Sequence, residues 1–366
     1  MEFRVDRGEL YRCLQRLQGF VDPKGPMPIL SNLLVQSVEN GIFISATNLD
    51  IALKKFCPAN VSDPGSLTIN SKKLHDIVRE LPDGEIHLTQ TENQWALLTC
   101  GNSRFRLSLL PVDDFPPFPE FKTISMKTID GPTIGEMIGK TSHAISQDET
   151  RYMLNGILLQ IYKDHMRMVS TDGHRLAFIR RPVSMKWDKD IEVIIPKKAV
   201  LELNKLTEDE EGELQFILQD NHLIFKKNKM VFVSRLLEGK FPNYEQVIPS
   251  KNTKVAMVPV EEMTHALKRV VILADEKSKM VKLQFSKGKL ELTSEATELG
   301  DAMESLEVDY SKDDISIGVN AVYLIEILTI LKEDKVSFNM EDSLSPLLIK
   351  SAEDEDFLSI VMPMRL

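Results

Sequence analysis

Long apolar runs, paired cysteines and an excess of positive charge are all missing from this chain of 366 residues. No run of about 18 apolar residues occurs, so no membrane-spanning helix is expected. The opening segment, Met1-Glu2-Phe3-Arg4-Val5-Asp6, is charged and strand-like, without the apolar centre of a signal peptide. The three cysteines, Cys13, Cys57 and Cys100, are odd in number, far apart, and form no Cys-x-x-Cys. They fit a reducing cytoplasm in which thiols act as small core residues. The formal net charge is −10. Divided at residues 122 and 250, the chain holds 13 basic against 15 acidic residues, then 18 against 18, then 14 against 22. A nucleic-acid binder with a basic outer surface is excluded, and any such contact must come from local basic faces on an acidic body.

Equally absent are a nucleophile elbow, a His-Glu-x-x-His, a phosphate-binding glycine-rich loop and any cluster of ligand-spaced His or Cys. No metal or other cofactor is expected. What is present is ordinary globular composition, 42% hydrophobic and 27% charged, in a chain long enough for two or three domains.

The chain repeats itself. Phe3 and Val5 lead into Leu10, Leu14 and Leu17; Ile124 and Met126 lead into Ile134, Met137 and Ile138; Val255, Met257 and Val260 lead into Met263, Leu267 and Val270. Each set reads as a strand followed by an amphipathic helix. A second strand and helix recur at Leu67-Thr68-Ile69 before Ser71–Val78, at Val193-Ile194-Ile195 before Pro196–Leu203, and at Ile315-Ser316-Ile317 before Asn320–Glu326. Ser71 and Asn320 suit N-caps and Pro196 a first helical position. A hairpin lies between the helices of each third, with Thr47, Thr171 and Thr293 in matching places. The expected fold is therefore α+β: three copies of one domain, each with two helices backed by antiparallel sheet, over residues 1–122, 123–250 and 251–366. Equal domains related by a constant rotation close into a ring or run on as a filament, and three per subunit can close with two subunits.

The repeat helices lean positive. Arg7, Arg12 and Arg16 stand against Glu9; Lys72, Lys73 and Arg79 against Asp76 and Glu80; Lys197, Lys198 and Lys205 against Glu202. Helices lining one hole would sum these charges into a sequence-independent attraction for phosphate. Lys24, in the proline-rich loop Asp22–Pro26, with Gln147 and Tyr152 beside the corresponding loop of the second third, joins Lys72, Lys197 and Lys198 as an expected DNA contact.

Thr171-Asp172-Gly173-His174-Arg175-Leu176 admits two readings. Asp172 and His174 could form an acid/base or metal pair. Alternatively the segment is a turn after a strand, with Gly173 in unusual backbone angles. This hexapeptide also resembles a signature of the bacterial sliding clamps, the beta subunits of DNA polymerase III. Arg151-Tyr152-Met153-Leu154-Asn155-Gly156, Phe241-Pro242-Asn243-Tyr244 with Val247-Ile248-Pro249, and the ending Val361-Met362-Pro363-Met364-Arg365-Leu366 resemble further segments of that family in the same order. Met153, Ser278 and one extra residue within Gln147–Thr150 depart from it.

The resemblance implies a non-catalytic head-to-tail homodimer that encircles duplex DNA as a processivity factor. Its implied partners are a clamp loader, the replicative polymerase catalytic subunit, repair polymerases, ligase and mismatch-repair factors. It brings Phe105 and Leu107 of one subunit against Ile272 and Leu273 of the other. It also implies a pocket for partner peptides. Leu154, Thr171, Gly173, His174, Arg175 and Leu176 form one wall, and Pro242 and Val247 come from the second connection. Asn320, Tyr323, Leu344, Pro346, Ile360, Val361, Met362, Pro363, Met364 and Arg365 complete it. Leucine, valine, proline and methionine suit an adaptable apolar groove, and Arg175, His174 and Asn320 can hold a peptide's polar groups.

Overall fold

The structure is a computed structural model that describes residues 1–92, 94–121, 125–183, 189–208, 212–296 and 300–366. The expected first boundary at 122 and 123, and the strand residue Ile124, lie outside the described residues. The helices are α1 (Arg7–Leu17), α2 (Ser71–Glu80), α3 (Gly131–Thr141), α4 (Lys197–Glu208), α5 (Val260–Val270) and α6 (Ala321–Ile330). They are two per repeat, each following a strand.

Local chemistry explains the helix starts. Asp6 caps α1 by accepting from the Glu9 N–H at 3.0 Å, and Leu10, Cys13, Leu14 and Leu17 bury one face. Asn320 caps α6 as expected, accepting from the Val322 N–H at 2.9 Å. Two expectations shift by one residue. The cap of α2 is Asn70, which accepts from Lys73, while Ser71 is already helical and buried. Pro196 ends a strand paired with Gly156, so α4 begins at Lys197, whose N–H donates to the Asn155 carbonyl at 2.8 Å. The strand before α3 is Lys127–Ile129, and Val260 belongs to α5. α4 runs to Glu208 and so carries a second acid besides Glu202.

Contacts group the chain into two compact units, Met1–Gly131 with Leu201–Leu236, and Pro132–Val200 with Leu237–Leu366. The central repeat is divided between them. In the first unit, a five-stranded sheet runs Asn60–Asp63, Glu2–Asp6, Glu85–Thr91, Trp95–Cys100, Ser103–Ser108. An eight-stranded sheet joins four strands of the central repeat, ending in Met230–Arg235, to four of the first repeat, beginning with Ile51–Pro58. Phe232 stands opposite Leu53 at that seam. In the second unit another eight-stranded sheet has its seam between Arg175–Pro182 and Phe357–Val361, with Ala177 opposite Ser359. A four-stranded sheet, Gly300–Glu307, Lys289–Ala296, Met280–Ser286, Ile315–Asn320, completes that unit.

The ladders fix which residues correspond. Asn32 opposite Asn70, Gly156 opposite Pro196 and Met280 opposite Asn320 each precede the second helix of a repeat. Followed along the hairpins, this register matches Thr293 with Ser45 and Val169, and not with Thr47 and Thr171. The threonine match was one of residue type; the pairing sets the true correspondence, and a slip of two keeps the same face.

The first seam is packed by aromatic rings. Phe20 of the first repeat meets Phe232 edge-on at 5.7 Å, Phe232 stacks on Phe225 at 6.0 Å, and Phe225 on Phe216 at 5.9 Å. All four are fully buried, each contributing about 1.5–3 kcal/mol from burial alone. The second seam carries an ion network. Lys140 of α3 and Arg181 pair with Asp354 of the following repeat, at 2.6 and 2.5 Å, and both also pair with Glu136 of α3. Hydrogen bonds from Arg181 hold the Glu136 carboxyl below its usual range.

Candidate functional site

Thr171–Arg175 is a hairpin turn held by its own side chains. The Thr171 hydroxyl donates to the Arg175 carbonyl at 2.6 Å and accepts from the Gly173 N–H at 3.1 Å. One Asp172 oxygen accepts from the His174 and Arg175 N–H groups at 2.9 and 3.0 Å. Gly173 has φ +89°, as its position suggested.

The same turn recurs in the first repeat. Thr47 donates to the Ile51 carbonyl at 3.1 Å and accepts from the Leu49 N–H, while Asn48 accepts from Asp50 and Ile51. Leu49 there has φ +77°. That copy has Asn48 where this one has Asp172 and Asp50 where this one has His174, so the turn forms without the pair. The turn is therefore architectural, and Asp172 is a turn-forming carboxylate, which overturns the acid/base reading of Asp172 with His174.

One position distinguishes the central turn. Where the first repeat has Ile51, this one has Arg175, whose side chain is 8% exposed. Its Nε donates to Asp172 at 3.0 Å, its terminal nitrogen pairs with Glu326 of α6, and the guanidinium lies 4.4 Å from the centre of the Tyr323 ring. Burial raises the Tyr323 phenol above its ordinary value, and the nearby Asp172 charge adds to the rise. A cation so enclosed needs anions and a ring face around it.

The chain's end folds over this turn. Val361 pairs with Arg175, the Met362 N–H donates to the His174 carbonyl at 2.8 Å, and the Met364 N–H donates to the Gly318 carbonyl at 2.7 Å. The last residues are thus strand-tied through Met364, with Arg365 and Leu366 exposed. Beneath lies an apolar cluster that includes Leu154, Leu176, Phe241, Tyr244, Leu348 and Ile360, with Met153, Ile248 and Met362 packed on it.

Of the pocket residues expected from sequence, the structure joins Leu154, Leu176, Ile360 and Met362 in that cluster, and Thr171, Gly173, His174, Arg175, Tyr323, Val361 and Met364 through the turn and tail. Asn320 caps α6, which carries Tyr323 and Glu326. Pro363 lies between the two anchored tail amides. Pro242, Val247, Leu344 and Pro346 are adjacent only through neighbours: Phe241, Tyr244 and Ile248 for the first two, Leu348 for the others. Leu344 is 71% exposed, in a turn held by Asp342.

Sequence reasoning missed Glu326 and the structural part of Asp172. Glu326 follows Tyr323 by three residues on one helix face, a signal that becomes readable only once Arg175 is known to be there. It also missed His143. This imidazole lies in a single 3₁₀ turn packed on the strand that begins at Arg175, with both ring nitrogens buried and unbonded. Burial pushes its pKa down to about 3, and the positive charge of Arg175 adds to the depression.

The expected DNA contacts Lys24, Lys72, Lys198, Gln147 and Tyr152 are exposed and Lys197 is half-buried. Phe105 and Leu107 are half-buried on the edge strand Ser103–Ser108. Ile272 and Leu273 lie in a single turn after α5, Ile272 being 72% exposed.

Three family models match the chain in tandem: the N-terminal, central and C-terminal domains of the DNA polymerase III beta subunit, over residues 1–119, 128–243 and 245–365. The beta sliding clamps of Pseudomonas aeruginosa and Escherichia coli K12 are 33% and 32% identical, over the whole of this chain and of theirs. Among solved structures, the P. aeruginosa DNA polymerase III beta subunit superposes with a TM-score of 0.94 at 34% identity. A Bartonella birtlesii sliding clamp bound to griselimycin gives 0.96 at 33%; both cover each chain fully. The chain belongs to the bacterial beta sliding clamp family. It is accordingly a DNA polymerase processivity clamp, a non-catalytic subunit with DNA and polymerase as partners.

His143 makes a pH prediction. Protonation is resisted in the folded state, so below the ordinary histidine value of 6.5 the unfolded chain binds the extra proton and stability falls with pH. The loss, up to about 1.4 kcal/mol per pH unit, accumulates until about pH 3. His143→Phe should flatten urea-unfolding midpoints between pH 6 and pH 4 relative to the parent; identical profiles would show that the imidazole is solvated.

Proposed function

We propose that two copies of this chain close head to tail into a ring that encircles duplex DNA, and that the turn-and-tail site is where partner peptides dock in turn. The observation that carries the ring is the strand pairing at the two seams. At each, the last strand of one repeat pairs with the strand that follows the first hairpin of the repeat before it: Met230–Arg235 with Ile51–Pro58, and Phe357–Val361 with Arg175–Pro182. One such last strand, Ser103–Ser108, and one such acceptor, Gly300–Glu307, remain as sheet edges. Unpaired edges invite pairing. A second copy supplies the match for both.

Carrying the register of the two seams to this third one sets Phe105 opposite Ala302, Leu107 opposite Gly300, and Arg106 opposite Asp301 of the other copy. Charge complements it, since Arg104 and Arg106 lie on one edge and Asp301, Glu304 and Glu307 on the other. The exposed side chains of Met303 and Ile272, with Leu273, would be covered by the same contact. The repeats so closed are those expected at 1–122, 123–250 and 251–366.

Phosphate contacts fall to Lys24, Lys72, Lys197 and Lys198, with Gln147 and Tyr152, and are transient and salt-sensitive. Clamp loader, replicative polymerase, repair polymerases, ligase and mismatch-repair factors share the peptide groove, whose apolar cluster accepts a small anchor reversibly. The setting is the cytoplasm, on the nucleoid; no helix among the described residues is long and apolar enough to cross a membrane.

Topology tests the ring. Loaded protein should remain on nicked circular DNA through gel filtration and be lost when the circle is linearised. Equal loss from both forms would exclude encirclement. For the closing contact, replacing both Ile272 and Leu273 with alanine should yield folded monomers by sedimentation, and a variant still dimeric at nanomolar concentration would remove this interface. For the groove, deleting Met364–Leu366 should abolish binding of a Gln-Leu-x-Leu-Phe peptide while the dimer persists; unchanged affinity would locate docking elsewhere.

A further inference from the structure

The second helix of every repeat carries an acid at the same place, counted from its first helical residue: Asp76 in α2, Glu202 in α4 and Glu326 in α6. In α2 and α4 that acid pairs with a cation three residues later on its own helix, Asp76 with Arg79 at 3.6 Å and Glu202 with Lys205 at 2.8 Å. Such a pair needs nothing outside the helix. α6 departs from this. Thr329 takes the place of the cation, its hydroxyl donating to the Ile325 carbonyl at 2.6 Å, and Glu326 is the one charged residue of the helix. Its partner is Arg175, which stands where the first repeat has Ile51. The acid has kept its position, and its cation has moved from the helix to the turn at the groove. A guanidinium has five N–H donors. In Arg175, Nε donates to Asp172 and one terminal nitrogen to Glu326. The other terminal nitrogen donates to no group among the described residues and is not sealed from solvent. Arg175 and Asp172 are largely buried, whereas Glu326 is half-exposed. Glu326 is therefore the more open of the two anions that hold this cation.

We propose that Glu326 is a specificity-determining residue of the peptide groove: it occupies the guanidinium that a carboxylate of an incoming peptide would otherwise take, and so selects ligands that carry no acid beside their apolar anchor. The inference rests on the groove reading above and adds the charge class of the ligand. Asp172 and Glu326 set two carboxylates against the single cation of Arg175. A ligand carboxylate must displace Glu326 or lie beside it, and specific surfaces discriminate by that kind of repulsion as much as by attraction. Without Glu326, one cation faces one buried acid, and its open N–H groups can take a ligand carboxylate in a charge-assisted pair. The replacement of Lys205 by Thr329 is part of the device, because a cation on α6 itself would compete for Glu326.

The test compares two fluorescent probes, the peptide Gln-Leu-Ser-Leu-Phe with its C-terminus amidated and the same peptide with a free carboxylate, which differ by one charge beside the apolar anchor. Their dissociation constants are measured on the full-length protein. The parent should prefer the amide several-fold. Glu326→Gln should shift the ratio several-fold toward the free acid, less so at high salt, since screening weakens charge contacts at exposed sites. Glu326→Asp, which restores the charge, should keep the parent ratio. Thr329→Lys places a cation where α2 has Arg79 and α4 has Lys205, and should move the ratio the same way as Glu326→Gln with every groove residue present. It decides the matter if Glu326→Gln lowers the urea-unfolding midpoint. The proposal is overturned if neither variant changes the ratio. It is also overturned if both peptides weaken by the same factor, which is the mark of a purely structural acid. Failure of the groove reading has its own signature: both peptides would bind unchanged to protein lacking Met364–Leu366, and the inference would fall with it.

Discussion

Strand pairing across the repeat boundaries is the constraint on which the rest of this structure depends. Each seam makes one continuous sheet from two repeats, so the boundary is a ladder of backbone hydrogen bonds and not a flexible linker. Breaking a buried ladder strands its amides without water, which is costly group by group. That is why compact units are drawn across the repeats, with the central one shared. The seams are reinforced differently: stacked phenylalanines in the first unit, and Lys140, Glu136, Arg181 and Asp354 in the second. The same architecture thus tolerates an apolar or an ionic filling, provided that the buried charges are matched.

The candidate groove follows from the second seam. Strand Arg175–Pro182 begins at the Thr171–Arg175 turn, and its partner Phe357–Val361 ends there. In the first seam the residues after Arg235 continue into the next repeat. In the second, the amides of Met362 and Met364, just beyond Val361, hydrogen-bond to the His174 and Gly318 carbonyls. Arg175 in place of Ile51 then supplies a charge to a turn that is otherwise a structural duplicate. Asp172 and Glu326 are needed because a buried guanidinium left without its anions would cost about 3–5 kcal/mol.

Electrostatics on this molecule is local. An overall charge of −10 coexists with exposed lysines at 24, 72, 73 and 198. Screening over about 8–10 Å at ordinary ionic strength lets such faces act without cancellation by distant acids. The proposed phosphate contacts, weak and set on an acidic body, would suit movement along DNA better than a fixed contact.

The repeat, the α+β class and the helix positions were legible in the chain, because apolar periodicity and turn residues are local properties that act before any tertiary contact; the expected groove residues came from the family resemblance. Gly173 and Asn320 could be singled out on that ground, and Leu154 only by the resemblance. The starts of the second helices were legible only to within a residue, since Asn70 and Ser71 are equally good caps until the ladder with Asn32 decides. Thr293 was matched by residue type where hairpin register governs. Glu326 and His143 were illegible for a common reason: each depends on partners distant in sequence, and neither ion pairing nor burial is a property of one position. The sequence by itself determined which segments become strands and helices and that they come three times. Only the tertiary structure decided which edges pair and which cation is buried, because those outcomes belong to pairs of residues brought together by the sheets.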